Sequence, residues 1–380
     1  MNITARRSRR AAPAVLAALA VLAAAGLVTA CGAERTTVPS AAPVQTPTPS
    51  ASATTTATAA PSPPFDVVTG LDAPWSLAPV GSSVLVSERD TARVFEWTAA
   101  GELRELAVID DVAHGGEGGL LGLAAADGAL YVYATTAAGN RVQAFTLSGE
   151  PGALTLGSPR TVIEGLPASG THNAGRIAFG PDGMLYVPVG DAGDSQAAQD
   201  ATALNGKILR LTPDGGIPPD NPTPESPVYS LGHRNVQGLA WAEDGRLFAS
   251  EFGQNTWDEL NVIEPGANYG WPVVEGAASE PGFVDPVAQW PTAQASPSGI
   301  AIVDGTVLIA NLRGETLRAV PTDDPAASVD HFAGAYGRLR DVLLAPDGRV
   351  WIVTNNTDGR GDERASDDRI VSVDAGDVVR

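Results

Sequence analysis

The sequence predicts an all-β fold, a six-bladed β-propeller of four-stranded antiparallel blades, on three observations. A tight turn is followed at once by a short apolar strand six times along the chain. Five of the six turns are Asp-Gly, the strongest short-range hairpin signal, because glycine accepts the positive φ that a tight turn needs. Successive instances stand about 43 to about 62 residues apart, room for one four-stranded blade and its loops.

In chain order the units are Gly81-Ser82-Ser83 ahead of VLVSE, Asp127-Gly128 ahead of ALYVYA and Asp182-Gly183 ahead of MLYVPVG. Asp244-Gly245 ahead of RLFASE, Asp304-Gly305 ahead of TVLIAN and Asp347-Gly348 ahead of RVWIVTN complete the set. Most of the unusual polar residues lie in loops just before or just after these strands. In a propeller such loops converge on the central channel.

Residues 1–31 read as a targeting segment. Arg6, Arg7, Arg9 and Arg10 form a positive start, and Ala11 to Leu27 is an apolar stretch too short and too alanine-rich for a membrane span. It ends in Val28-Thr29-Ala30-Cys31, which resembles a bacterial lipobox with cleavage before Cys31 and lipid on its sulfur. An ordinary secretory signal with an incidental cysteine is the alternative. Cys31 is the only cysteine, so no intramolecular disulfide can form and the propeller must be held by packing. Residues 32–64 are almost wholly Ala, Thr, Pro, Ser, Val and Gln, which bury too little apolar area to offset their ordering entropy and read as a disordered tether. The expected arrangement is an extracytoplasmic protein, lipid-anchored to the cell membrane, with one large propeller domain over 65–380.

The formal net charge is −20, and removal of the four leader arginines makes the mature chain more acidic still. That balance argues against nucleic acid or anionic lipid as partner, so membrane contact is expected through the anchor alone. A neutral or cationic ligand is easier to accommodate.

Four clusters carry candidate chemistry. Among the four histidines, His114, His172, His233 and His331, His172 is singled out by its context SGTHNAGR, where small residues on both sides leave room to face a cavity. A neutral imidazole there is a suitable general base near pH 7. LGHRNVQG offers Arg234 and Asn235, a cationic fork and an amide suited to an oxyanion or carboxylate. GRLRDV places Arg338 and Arg340 two apart, hence on one face of an extended strand. The segment from Ser250 to Pro272 crowds Glu251, Asp258 and Glu259 near a glycine turn, the oxygen-rich setting calcium takes. No cysteine–histidine spacing suggests zinc.

Taken with LDAPWS from Leu71, GEGGLLGLA from Gly116, LNGKILRLTPDGGIPPDNP and the NYGWP run, these segments resemble the soluble quinoprotein aldose sugar dehydrogenases, also called glucose/sorbosone dehydrogenases. The resemblance covers residues 66–376. It implies a six-bladed propeller that binds pyrroloquinoline quinone (PQQ) and calcium, oxidises the C1 hydroxyl of aldoses to lactones, and passes electrons to an external acceptor. It implies His172 as the base that removes the C1 hydroxyl proton while hydride passes to the quinone. Arg234 and Asn235 would hold the quinone oxygens, and Arg313, where lysine is usual, would contact the cofactor. Arg338 and Arg340 would grip its carboxylates. The backbone carbonyls of Gly253 and Gln254 would bind the cofactor's calcium, and Glu259 and Tyr269 a second, structural calcium.

Two departures bear on the site. Glu117 occupies a cofactor-contacting position where glutamine is common, and a carboxylate there repels an anionic quinone unless protonated or paired. Thr171 stands where an acidic or amide residue usually precedes the histidine, which implies a less firmly oriented imidazole. Two alternatives stay open on the fold alone. One is a non-catalytic propeller that binds sugars or cell-wall polymers. The other is a lactonase using calcium-bound water.

Overall fold

The computed structural model describes residues 62–379; Cys31 and most of the tether expected over 32–64 lie outside them. The chain enters with β1 (Phe65–Thr69) and then builds one four-stranded blade after another. The first holds β2 (Pro74–Val80), β3 (Ser83–Glu88), β4 (Arg93–Trp97) and β5 (Leu103–Val108). The second holds β6 (Leu120–Ala126), β7 (Ala129–Thr136), β8 (Gly139–Ser148) and β9 (Thr155–Leu166). The third holds β10 (Ala178–Phe179), β11 (Leu185–Val189), β12 (Lys207–Leu211) and β13 (Val228–Leu231), with a short 3₁₀ turn at Ser195–Gln199. The fourth holds β14 (Val236–Trp241), β15 (Leu247–Glu251), β16 (Trp257–Ile263) and β17 (Ala288–Pro291). The fifth holds β18 (Pro297–Val303), β19 (Thr306–Asn311), β20 (Thr316–Pro321) and β21 (Val329–His331). The sixth holds β22 (Leu339–Leu344), β23 (Val350–Thr354) and β24 (Arg369–Val373), followed by the helix α1 (Ala375–Val378).

The fourth strand of that last blade is β1. It pairs antiparallel with β24, Phe65 opposite Ser372 and Thr69 opposite Arg369, so the two ends of the propeller are sewn into one sheet. All six sheets are four-stranded and antiparallel, as the turn spacing predicts. The first strands of the blades line the channel and pack against one another around it.

The Asp-Gly turns join first to second strands, so all lie at one end of the blades, here called the lower end. Asp127-Gly128 and Asp304-Gly305 have positive φ at both residues, the geometry that matches strand twist in a two-residue hairpin. At the other three, the aspartate side chain accepts the backbone N–H two residues on, each at 3.0 Å: Asp182 from Met184, Asp244 from Arg246, Asp347 from Arg349. By antiparallel geometry the loops entering first strands, and those between second and third strands, gather at the upper end.

Each sheet is apolar on both faces, and β3, β11, β19 and β23 are buried along their whole length. The core is accordingly divided into six apolar clusters, one for each interface between neighbouring blades. Packing of this kind needs no covalent staple.

Candidate functional site

A cavity of about 290 Å³ opens at the upper end of the channel. Its wall includes Trp75, Glu117, Gln237 and five arginines: Arg89, Arg313, Arg338, Arg340 and Arg360. In a chain of net charge −20, five arginines against one lining carboxylate make this cavity suited to a negatively charged ligand.

Arg340 projects from β22 and is 3% exposed. It donates from Nε and Nη2 to Asn355 Oδ1 (3.2 and 2.8 Å) and from Nη1 to Gln237 Oε1 (2.8 Å). Burial pushes its guanidinium down to about 9, against the pull of Asp358, whose carboxylate lies 3.9 Å away. Arg338, one residue before β22, lies 3.6 Å from the same Asp358 and is likewise lowered by burial. Its Nε has no partner among the described residues. An anion in the cavity would relieve both desolvated cations. Arg313, between β19 and β20, is exposed at the rim.

His172 stands in the loop between β9 and β10 with φ +55°, a left-handed conformation uncommon for a side-chain-bearing residue. Its Nδ1 lies 2.6 Å from Oδ1 of Asp191, which also accepts from Gly193 N (2.8 Å). Oδ2 of Asp191 accepts from Trp271 Nε1 (2.9 Å). Burial alone would raise the Asp191 carboxyl, but the bonds from His172, Gly193 and Trp271 outweigh it and hold it below the ordinary range. With Nδ1 engaged, Nε2 is the ring nitrogen left to act as a base. Gly190 is obligatory here, since a Cβ would lie 1.8 Å from the His172 carbonyl oxygen.

Asp191 escaped the sequence reading, although GDAGD follows directly on the strand LYVPV. It also settles what orients the imidazole. Residue 171 was expected to do so weakly; instead Asp191 does it from the next loop, and the Thr171 carbonyl merely accepts from Ser169 Oγ (2.7 Å).

Arg234 and Asn235 enter β14 beside this cluster. The Arg234 guanidinium lies over the Trp271 ring, 5.4 Å from its centroid, and donates from Nη1 to the Phe252 carbonyl (3.1 Å). Asn235 is fully buried and accepts from Ala174 N (2.9 Å). Arg234 Nε and Asn235 Nδ2 are buried donors without partners among the described residues. Unpaired buried donors are costly, so their grouping marks a ligand position.

Glu117 lines the cavity but is paired within the protein. Its Oε2 accepts from His172 N (2.8 Å), and its Oε1 lies 3.6 Å from Arg360 Nη1. Neither Arg360 nor Arg89 was a sequence candidate; solitary arginines in loops carry no pattern.

In the segment after β15, Gly253 donates to Asp258 (2.8 Å), and the N–H groups of Gln254, Asn255, Thr256 and Trp257 converge on Glu275 Oε1 at 2.7 to 3.3 Å. The carbonyls of Gly253 and Gln254 accept no hydrogen bond among the described residues, so both oxygens are free for a cation. No hydrogen bond joins the side chains of Glu259 and Tyr269. Glu259 accepts from Gly276 N (2.7 Å) and Asn261 Nδ2 (3.1 Å), and the Tyr269 hydroxyl donates to the Val262 carbonyl (2.7 Å). No cluster of three or more acidic, histidine or cysteine side chains suited to a metal occurs among the described residues. His233 is structural: it is buried between Ser230 and Glu251 and stacks on Tyr269.

Comparison with known proteins gives this arrangement a context. The family model described as glucose/sorbosone dehydrogenase matches residues 71–362. The chain is similar to the PQQ-bound aldose sugar dehydrogenase of Streptomyces coelicolor, with 52% identity, a TM-score of 0.77, and coverage of 82% of this chain and 96% of that one. It is 29% identical to an aldose sugar dehydrogenase of Escherichia coli over 76% of this chain and 89% of that protein. Over a shorter stretch, 34% of this chain and 32% of the other, it is 41% identical to quinoprotein glucose dehydrogenase B of Acinetobacter calcoaceticus. A further relative from Synechocystis is spanned over 55% of its length.

Proposed function

Since the chain belongs to the glucose/sorbosone dehydrogenase family, we propose that it oxidises aldose sugars at C1 to lactones with PQQ and calcium as cofactors. The observation that carries this reading is the closeness of two features: the arginine-lined cavity and, bound through its N–H to the cavity-lining Glu117, His172. A grouping of arginines and unpartnered buried donors lies beside a histidine whose free ring nitrogen is set by a buried carboxylate.

The residues fit PQQ. Arg338 and Arg340 would hold its carboxylates, Arg234 Nε and Asn235 Nδ2 its quinone oxygens, and Arg313 would close on it from the rim. Bound PQQ supplies the acceptor for the hydride that leaves C1 of the sugar. His172 Nε2 takes the proton of the C1 hydroxyl, and Asp191 stabilises the imidazolium so formed. The free carbonyls of Gly253 and Gln254 suit calcium beside the cofactor. A second calcium at Glu259 would use the lone pairs its carboxylate keeps beside the bonds from Gly276 and Asn261. The electrons then go to an external acceptor.

Purified protein titrated with PQQ should show a saturable absorption change that needs calcium, together with aldose-dependent reduction of a dye. His172→Gln should keep PQQ bound and lower turnover by about a hundredfold or more, the ordinary worth of a general base. Absence of PQQ binding at saturating calcium would defeat the proposal and favour the binding propeller.

We also propose that the protein is tethered outside the cell membrane through lipid on Cys31, from the lipobox pattern alone. Cys31→Ser should release it from the membrane fraction; retention there would refute the anchor.

A further inference from the structure

We propose that Glu117 is a positioning residue for the His172 base, itself held by Arg360, so that one carboxylate ties loops of three blades together at the cavity. The inference rests on the reading of His172 as the base.

Glu117 lies in the loop before β6, His172 in the loop before β10, and Arg360 in the loop after β23. Residue 117 is tied to the His172 loop twice. Its own N–H donates to the Gly170 carbonyl (3.0 Å), and its Oε2 accepts the His172 N–H (2.8 Å). The two loops touch so closely that a Cβ on Gly116 would lie 2.1 Å from the Gly170 oxygen. The left-handed turn at His172 leaves its N–H outside any sheet ladder, and Glu117 is its one acceptor among the described residues.

His172 is thereby held at three points. Glu117 takes the N–H, Ala192 N donates to the carbonyl (3.3 Å), and Asp191 takes Nδ1. Loss of the first lets the strained backbone relax and swings the ring. A displacement of about 1 Å at a reacting group costs on the order of a hundredfold in rate. Arg360 completes the tie: its Nη1 lies 3.6 Å from the other Glu117 oxygen, and its side chain is 41% exposed. Both carboxylate oxygens therefore have protein partners, which answers the repulsion expected between a residue-117 carboxylate and an anionic cofactor.

Amide hydrogen exchange of cofactor-free protein, read at His172, tests the positional claim without turnover. Glu117→Ala should speed exchange there by about tenfold or more, and steady-state kinetics with saturating PQQ and aldose should show kcat down by about tenfold or more. The PQQ dissociation constant should change by less than about threefold. Glu117→Gln, whose amide oxygen still accepts the N–H, should keep both exchange and kcat within about threefold. Arg360→Gln should raise exchange at His172 by about threefold, and this reading stands if the alanine variant fails to fold. Unchanged His172 protection in Glu117→Ala or Arg360→Gln would overturn the proposal. So would a loss of PQQ affinity with kcat intact, since Glu117 would then be a cofactor contact. Wild-type protein that oxidises no aldose with PQQ would sink the functional reading instead, while exchange still decides the tie.

Discussion

Two cationic regions at the upper end of the propeller are built in opposite ways. Lys207, the only lysine in the chain, is fully buried at the start of β12. Its ammonium donates to the carbonyls of Ala197 (3.0 Å), Ala198 (3.0 Å) and Asn205 (2.6 Å), three donors for three acceptors. Arg338 is also mostly buried, yet among the described residues its Nε has no partner and its nearest carboxylate is 3.6 Å away. A cation that the chain satisfies by itself is part of the scaffold. A buried cation left partly unsatisfied beside a cavity has a donor to offer a ligand. By this contrast Lys207 pins the loop that carries Asp191, and Arg338 and Arg234, each with an Nε that has no partner among the described residues, keep a donor for a ligand.

The sharpest way to break the comparison is to remove each cation in turn. Lys207→Met leaves three buried carbonyls without donors and should destabilise the unloaded protein by about 3–5 kcal/mol. It should also loosen Asp191, because Asn205, held by Lys207, donates from Nδ2 to the Asp191 carbonyl (2.9 Å). Urea unfolding without cofactor measures the first effect. A change below about 1 kcal/mol would mean that the cage is incidental.

Arg338→Met should behave in the reverse manner. Unloaded stability should fall by less than in Lys207→Met, because Arg338 keeps only a 3.6 Å ion pair to the buried Asp358 and no closer bond. PQQ affinity should fall by about tenfold to a hundredfold, the worth of one charge-assisted contact. Equal losses of stability in the two variants would erase the distinction between scaffold and site.

The same distinction explains what was legible in the sequence. The blades were, because each Asp-Gly turn is decided by the residues next to it. So were Arg338, Arg340, Arg234, Asn235 and His172, which stand in runs dense with polar or small residues. Asp191 was not, because an aspartate among glycines looks like one more turn until the fold brings it to His172. Arg360 and Glu275 carry no local signal: one is an arginine in a polar loop, the other a carboxylate that matters only because four N–H groups of a distant segment close on it. The closure of the ring by β1 depends on pairing across nearly the whole chain. Residues whose role is set by contact between loops are invisible to spacing, and in the candidate site these are the partners that hold the legible residues in place.

The smallest expected effect probes whether the Lys207 cage fully offsets its burial. Burial pushes the Lys207 ammonium down to about 8 from an ordinary 10.5, with Asp200 pulling weakly the other way. Between those values the unfolded chain binds a proton that the folded chain does not, so stability should rise with pH across that window. For one proton the slope is at most about 1.4 kcal/mol per pH unit. Below the window both states are protonated and the contribution is a constant cost; above it both are neutral and the cost is gone. Tyrosines and the buried Arg340 titrate in the same range, so the informative quantity is the difference between wild type and Lys207→Met, in which their shared contribution cancels. That difference should widen in favour of the wild type from pH 8 towards pH 10 in urea titrations. A difference that stays flat would show that the three carbonyls hold the ammonium at its ordinary value. Lys207 would then be a cation satisfied so completely that burial costs it nothing, a stronger contrast with Arg338 than the one drawn above.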